Sequence, residues 1–220
     1  MNKVFDFEQA AIGSIVVGPL QTNVYVIGCK ETKEAAIIDA GGNAPGLLQL
    51  AETLGFKITK ILQTHAHIDH VAALGEIKEA TGMPIYLHPA DQPLYDAAVE
   101  QGKRFGFQLE PLPPVDESLE DGQVIEIGNL KTQVWFLPGH SPGSVAFFFE
   151  ELKVALSGDV LFAGSIGRVD LPLSDPASMK TSLERLKKDM PDDTLILSGH
   201  GPETTMEMER KRNPFLNQDW

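Results

Sequence analysis

The chain has 220 residues, of which 42% are hydrophobic and 22% charged, and its formal net charge is −13. This length suits one domain over residues 1–220 with a substantial buried core. A strongly negative chain without a long Lys/Arg cluster repels nucleic-acid backbones and anionic lipid, so neither is expected as a partner. The single cysteine excludes an internal disulfide framework and fits a reducing compartment.

The amino-terminal segment and the apolar runs bear on where the protein acts. The first twenty residues lack a basic region followed by an uninterrupted apolar one, so a secretory signal peptide is not expected. No apolar run approaches the roughly 18 residues that a membrane span requires. From these two features we expect a cytoplasmic protein.

Short apolar runs separated by turn residues predict an antiparallel meander at the start of the chain. Its strands are predicted at residues 12–17, 23–29 and 35–38. Helix and strand then alternate. Helices are predicted at 47–54 and 69–80, and strands at 58–62 and 84–88. This alternation indicates a sheet with helices packed on its face.

The second half repeats this style after a weaker stretch at 89–114, where we expect a helix over 91–100 and a Pro-rich loop near a cleft mouth. Strands are predicted at 124–127, 131–137, 144–149, 153–156 and 194–197. A helix at 177–188 has Asp175 as its cap and Pro176 at its first position. Thr204 and Glu207 have the spacing of a capping box before a short terminal helix. Two β-rich halves with helices predict a four-layer αββα sandwich of the α/β class.

Four potential metal ligands lie close together where a predicted strand ends. They are His65, His67, Asp69 and His70. Residues two apart share one side of an extended chain, so the first two histidines can converge, and the turn into the next helix brings the other two beside them. Imidazoles with one carboxylate suit zinc, iron, manganese or cobalt better than calcium or magnesium.

Three later segments share one arrangement, in which a strand ends, small residues turn the chain and one candidate ligand lies at the turn. These ligands are His140, Asp159 and His200. Seven ligands without a cysteine exceed the four of a closed structural zinc site, so we expect two metal ions that share a carboxylate. A hydroxide bridging two cations is a strong nucleophile, and the same cations polarise a carbonyl. The pattern therefore predicts a metal-dependent hydrolase.

The His-x-His-x-Asp-His cluster at 65–70, followed by isolated His, Asp and His at strand ends, resembles the metallo-β-lactamase superfamily. Within it, segments 158–170 and 199–205 are similar to short glyoxalase II-like (hydroxyacylglutathione hydrolase-like) proteins. The resemblance implies the αββα sandwich and hydrolysis of a small-molecule thioester, with D-lactoylglutathione as the expected substrate. Full-length glyoxalase II has an added C-terminal helical region that contacts glutathione, whereas only twenty residues follow His200 here.

The resemblance also implies a role for each residue. One metal would be bound by His65, His67 and His140, the second by Asp69, His70 and His200, and both by Asp159. Asp69 would in addition be catalytic, because it would orient the bridging hydroxide. Arg168 would bind the substrate, near the place where the family has a basic residue for glutathione, and an ion pair with Asp170 is the alternative. The implied cofactors are two divalent metal ions, either zinc or else iron or manganese.

Other functions stay open at this point. The nearest is a mononuclear iron persulfide dioxygenase, which shares the fold and the Gly-Arg-x-Asp pattern at 167–170, and a lactonase or β-lactamase comes next. A metal-binding regulatory module would need a missing ligand or blocked metal positions. Outside the cluster, we expect structural roles for Cys29 and His88, and we expect the basic run at 210–212 to complement the terminal helix dipole and nearby glutamates.

Overall fold

The computed structural model describes residues 3–104, 106, 110–218 and 220. Within them the strands form a seven-stranded sheet, a six-stranded sheet and a two-stranded hairpin. The first sheet contains, in spatial order, β1 (Lys3–Asp6), β2 (Ala10–Val17), β3 (Thr22–Cys29), β4 (Glu34–Ile38), β5 (Lys57–Leu62), β6 (Ile85–Leu87) and β7 (Glu117–Ser118). Strands β1 to β4 pair antiparallel, as the predicted meander requires, and β4 to β7 pair parallel.

The later strands build the second sheet and the hairpin. They are β8 (Val124–Ile127), β9 (Leu130–Phe136), β10 (Val145–Phe149), β11 (Val154–Gly158), β12 (Leu161–Phe162), β13 (Ser165–Ile166), β14 (Leu195–Ser198) and β15 (Thr204–Thr205). The hairpin consists of β12 and β13, and the others follow the order β15-β14-β11-β10-β9-β8. Only β11 and β14 run parallel among the pairs described in the second sheet.

Helices cover the outer faces of both sheets. They are α1 (Ala44–Thr53), α2 (Ile68–Val71), α3 (Leu74–Thr81), α4 (Gln92–Asp96), α5 (Ala98–Arg104), α6 (Pro176–Asp189), α7 (Met206–Arg212) and α8 (Pro214–Asn217), with 3-10 turns at Pro89–Asp91 and Glu150–Leu152. Asp175 accepts hydrogen bonds from the N–H groups of Ala177 and Ser178, and Pro176 begins α6, as predicted. Among the described residues, none of the helices has the length and apolar character needed to cross a bilayer.

The buried side chains form three apolar layers. In β3, Val24 and Val26 pack in the layer shared with α1 and α3, whereas Tyr25 and Ile27 pack between the two sheets. A third layer lies between the second sheet and α6, where Leu183 is buried. Both faces of each sheet are therefore covered, and the predicted four-layer αββα sandwich is confirmed.

Three local predictions were wrong. The helix predicted at 91–100 is divided into α4 and α5, since α4 ends at Asp96 and is capped by Ala97. The helix predicted at 69–80 is divided into α2 and α3, because the N–H of Ala73 donates to the carbonyl of Ala40 instead of continuing one helix. The terminal helix is capped by Thr205, whose hydroxyl accepts from the N–H of Met208, and not by Thr204. The side chain of Thr204 donates to Glu209 instead.

Candidate metal centre

The first ligand cluster lies where β5 leaves its sheet. Residues 63–67 run from the end of β5 to α2, and His67 is the residue before the first helical turn. Asp69 and His70 lie within that turn, so the change from extended to helical backbone turns their side chains toward the two preceding histidines. His65 and His70 are fully buried, whereas His67 is only partly buried.

The other three predicted ligands reach the same place from the second sheet. His140 lies in the loop between β9 and β10, Asp159 directly follows β11, and His200 follows β14. An isolated bridge joins His200 to Thr22 at the start of β3, which connects the two sheets beside the cluster. The structure thus brings all seven predicted ligands together at one end of the sandwich.

Three histidines, His65, His67 and His140, form the first candidate ligand set. Nδ1 of His67 lies 2.8 Å from Nε2 of His140. Nδ1 of His65 faces the hydroxyl of Thr64 at 3.0 Å, which leaves Nε2 of His65 directed into the cluster. His140 is fixed from behind, because its Nδ1 donates to the main-chain carbonyl of Arg168 at 2.8 Å. The candidate donor atoms of the three residues lie within 4.8 Å of one another.

The second set combines Asp69, His70 and His200. Oδ2 of Asp69 lies 3.2 Å from Nε2 of His200 and 3.5 Å from Nε2 of His70. The hydroxyl of Thr22 donates to the same oxygen at 2.7 Å and fixes the carboxylate. Nδ1 of His70 lies 2.9 Å from Oδ2 of Asp39, so the ring is held from the side away from the cluster. Such outer partners orient metal-binding histidines in proteins.

Asp159 lies between the two sets. Its Oδ2 is 3.4 Å from Nε2 of His140 and 3.4 Å from Nε2 of His200, and its Oδ1 is 3.5 Å from Nε2 of His70. A Cβ atom on Gly199 would lie 2.1 Å from Oδ1 of Asp159, so this close approach requires glycine before His200. One carboxylate is therefore within reach of both sets.

Unpartnered buried atoms show that the residues fit a cation. Nε2 of His65, Nε2 of His70 and Oδ1 of Asp159 are buried without a hydrogen-bond partner among the described residues. Such groups are costly to bury unless something satisfies them. A divalent metal ion accepts lone pairs from imidazole nitrogen and carboxylate oxygen at once. The cluster is a divalent metal site.

The electrostatic environment differs between the two sets. Burial, followed by the neighbouring His140, lowers the pKa of His67 to about 3. Burial also opposes the charged form of His70, but Asp69, Asp159 and Asp39 raise its pKa to about 9. Burial likewise opposes the charged form of His200, but hydrogen bonds and charges from Asp159 and Asp69 raise its pKa to about 10. Without metal, His65 and His67 are therefore neutral, whereas His70 and His200 hold protons.

Several predicted residues lie outside the cluster. His88 stacks on Phe136 with ring centroids 4.2 Å apart, and Cys29 is buried in the core. The guanidinium of Arg168 is exposed and donates to both carboxylate oxygens of Asp170 at 2.8 and 2.9 Å. Arg210 donates to main-chain carbonyls in and just after the last turn of α6, including that of Lys187, so it caps α6 and not its own helix.

Asp39 and Thr22 hold two of the predicted ligands but were not among the predicted site residues. The oxygens of Asp39 accept from the N–H and the hydroxyl of Thr64 at 2.7 and 2.8 Å as well as facing His70, so Asp39 serves to orient the site. The signal was present, because Asp39 follows β4 and precedes Gly41 and Gly42. It shares with the ligand segments a strand end followed by a polar residue beside glycine, and with the Asp159 segment an acidic residue at that place.

Comparison with known proteins identifies the family of this chain. Residues 17–200 match the family described as the metallo-beta-lactamase superfamily. The hydroxyacylglutathione hydrolase GloC of Haemophilus influenzae is 39% identical over 210 residues, which cover 92% of this chain and 96% of that protein. A crystal structure of TTHA1623 in a di-iron-bound form is similar with a TM-score of 0.84 and 44% identity, covering 92% of this chain and 99% of that chain.

A second solved structure has a different stated activity. The BLEG-1 B3 metallo-beta-lactamase is similar with a TM-score of 0.86 and 36% identity, covering 94% of this chain and all of that chain. The match to the family spans most of the sequence and includes all seven clustered residues. The chain therefore belongs to the metallo-β-lactamase superfamily and is one of its metal-dependent hydrolases.

Proposed function

We propose that the chain hydrolyses a small thioester, D-lactoylglutathione or a related acyl-glutathione, with two divalent metal ions, preferably zinc. The position of Asp159 carries this proposal, because its Oδ2 lies 3.4 Å from a histidine nitrogen of each ligand set. A shared carboxylate is what a two-metal hydrolytic site requires. Imidazole and carboxylate also suit iron and manganese, so metal identity belongs to the test.

The proposed ligand assignment follows the two sets. His65, His67 and His140 hold the first metal, Asp69, His70 and His200 hold the second, and Asp159 contacts both. Support comes from the outer partners, since Thr64, Arg168 and Asp39 engage Nδ1 of His65, His140 and His70 and leave each Nε2 toward the cluster. Rings fixed in this way bind metal without reorganisation.

When bound, the two cations supply an activated water at neutral pH and polarise the thioester carbonyl. Asp69 orients that water in this proposal. Its carboxylate is suited to the task because the hydroxyl of Thr22 fixes Oδ2 at 2.7 Å, and because burial is outweighed by His70, His200 and Thr22, which lower the pKa of Asp69. In the metal-free chain the group is therefore ionised at neutral pH and can accept a hydrogen bond.

The substrate end of the proposal rests on Arg168. Its main-chain carbonyl accepts a hydrogen bond from Nδ1 of His140, so Arg168 lies beside the first ligand set. Glutathione carries carboxylates, and an arginine binds a carboxylate through two parallel hydrogen bonds. The present ion pair with Asp170 is exposed and therefore weak, so an anionic substrate can compete for the guanidinium. The hydroxyacylglutathione hydrolase relative supports this substrate class.

Metal removal and restoration test the function. Purified chain is stripped with chelator and assayed with D-lactoylglutathione before and after addition of zinc, iron(II) or manganese(II). We expect loss of turnover on removal and recovery as the metal content approaches two ions per chain. The variant His67→Ala should lose activity, whereas His88→Ala, a histidine outside the cluster, should keep both metals and activity. Full turnover by verified metal-free protein would contradict the proposal.

A further inference from the structure

The carboxylate of Asp91 lies behind the first ligand set. Its side chain is fully buried. Oδ2 accepts hydrogen bonds from the N–H of Ala66 and the hydroxyl of Ser141, both at 2.8 Å, and Oδ1 accepts from the N–H of Gly143 at 2.5 Å. One side chain thus satisfies three donors from two separate segments.

These two segments are the ones that carry the first set. Ala66 lies between His65 and His67, and Ser141 directly follows His140. The first segment follows β5 in one sheet, and the second lies between β9 and β10 in the other. Asp91 itself ends the 3-10 turn after β6. Its carboxylate therefore ties a ligand segment of one sheet to a ligand segment of the other.

The contact between Asp91 and the second segment is close and polar throughout. A Cβ atom on Gly143 would lie 2.7 Å from the main-chain nitrogen of Asp91 and 2.8 Å from its Cγ, so the loop reaches this position only with glycine. The hydroxyl of Ser144 accepts from the N–H of Ser141 at 3.1 Å and lies 2.7 Å from the Ser141 hydroxyl. Asp91, Ser141 and Ser144 form one continuous network under His140.

The charge on Asp91 is costly in this position. The three groups that donate to Asp91, from Ala66, Ser141 and Gly143, are all neutral. Burial raises the pKa of the carboxyl, although these three hydrogen bonds oppose that change. A buried ionised group without a counter-ion is seldom the most stable choice for a core position. Such a cost is understandable where the group fixes the geometry of a functional site.

We propose that Asp91 is a positioning residue for the first metal, which it serves by holding the His67 and His140 segments at the separation that the metal requires. This inference rests on the ligand assignment proposed above. An isosteric Asp91→Asn change places an NH₂ group against at least one of the three N–H or O–H donors, so one tie between the segments is lost while side-chain volume is kept. Outer partners of metal ligands contribute about 10–100-fold in affinity.

The test measures zinc affinity by competition with a chromophoric chelator in the full-length chain. In Asp91→Asn we expect one of the two binding steps to weaken by about 10–100-fold, with the other unchanged. In a His200→Ala background, which keeps the first set, the remaining metal should weaken by the same factor. Cobalt(II) in that background should show a changed visible spectrum, because the ligand geometry is altered. Ser141→Ala, which removes one donor, should give a smaller shift in the same direction.

Glu209→Gln is the matched control. Glu209 is also a buried carboxylate with three hydrogen bonds, from Gly164, Thr204 and Asn213, but none of its donors adjoins a residue of the first set. The Glu209→Gln variant should have a lower melting temperature and unchanged zinc affinity at both binding steps. Unchanged zinc affinities in both Asp91→Asn and Ser141→Ala would overturn the positioning role. A wild-type chain that binds no zinc would overturn the proposed function first, and the two failures are therefore distinguishable.

Discussion

Arg168 is joined to His140 through its main chain and not through its charge. The carbonyl of Arg168 accepts from Nδ1 of His140 at 2.8 Å, whereas the guanidinium is exposed and paired with Asp170. The residue therefore has two separable parts, a main-chain carbonyl that orients His140 and an exposed side chain that pairs with Asp170. Replacing the side chain leaves the first part in place.

Arg168→Ala should raise KM for a glutathione thioester by about tenfold with little change in kcat. A tenfold change is about 1.4 kcal/mol, close to the lower limit of the about 1.5–3 kcal/mol that a hydrogen bond to a charged group contributes. A change confined to KM marks lost ground-state binding. Metal content should be unchanged because the carbonyl remains. Steady-state kinetics and metal analysis check both points.

The control for this prediction is Asp170→Asn, which removes the competing carboxylate. It should leave KM unchanged or lower it, since the guanidinium becomes available to substrate. If Arg168→Ala and Asp170→Asn both match wild type, Arg168 contributes nothing to substrate binding and its role is confined to the contact with His140.

Asp159→Asn and His200→Ala should differ in the number of metals that they lose. The first removes the negative charge next to both ligand sets, so both metals should weaken, each by more than about tenfold. The second removes one nitrogen of the second set and should empty mainly that position. Metal analysis after dialysis against a weak chelator distinguishes the two results. Two metals retained in Asp159→Asn would show that its carboxylate bridges nothing.

Much of the fold could be predicted because its signals are local. Alternation identified β8 at 124–127 without error, and the cap at Asp175 placed the start of α6 to within one residue. The strands that were missed have no such signal. β1 is an exposed edge strand without a regular buried face, and β7, β12, β13 and β15 have two residues each, too few for any periodicity.

The clustering of the seven side chains was predictable for a different reason. Candidate ligands at strand ends are identified by residue type and neighbouring glycine, which are visible in the sequence. Asp91 has no such mark, because it lies in the weakly patterned stretch at 89–114, and its partners come from segments 25 and about 50 residues away. Only the packing of one sheet on the other brings them together. Long-range hydrogen bonds of this kind are set by tertiary structure and leave no local pattern.

Metal binding at the second position should release protons at pH 7. In the metal-free chain His70 and His200 have pKa values raised from 6.5 to about 9 and about 10, so both are protonated there, and a metal must displace both protons. His67, with its pKa lowered to about 3, has none to release. Calorimetry in buffers of different ionisation enthalpy counts the protons, and release should disappear above about pH 10.

The same shifts fix the sign of a stability change in the metal-free chain. A histidine whose pKa is raised on folding stabilises the fold fully below its unfolded pKa of 6.5, and this contribution is lost as pH rises through the folded values. The free energy of unfolding of metal-free protein should therefore fall between about pH 7 and 10. The variant His200→Ala should show a smaller fall, and equal falls would show that His200 is not protonated in the folded chain.

Oxygen dependence separates the proposed thioester hydrolase from an iron dioxygenase on the same fold, because function is determined by the site and not by the architecture. A hydrolase needs an activated water and a polarised carbonyl, neither of which requires a change of metal oxidation state. The second set of Asp69, His70 and His200 lies within reach of Asp159 and offers ligands for a second cation, which a mononuclear reaction does not require. We therefore expect equal rates of thioester cleavage with and without oxygen, and no oxygen uptake with glutathione persulfide. Oxygen consumption that follows persulfide loss, in protein with one iron per chain, would reverse the assignment, because it would mean that the second set stays unused even though its donors converge.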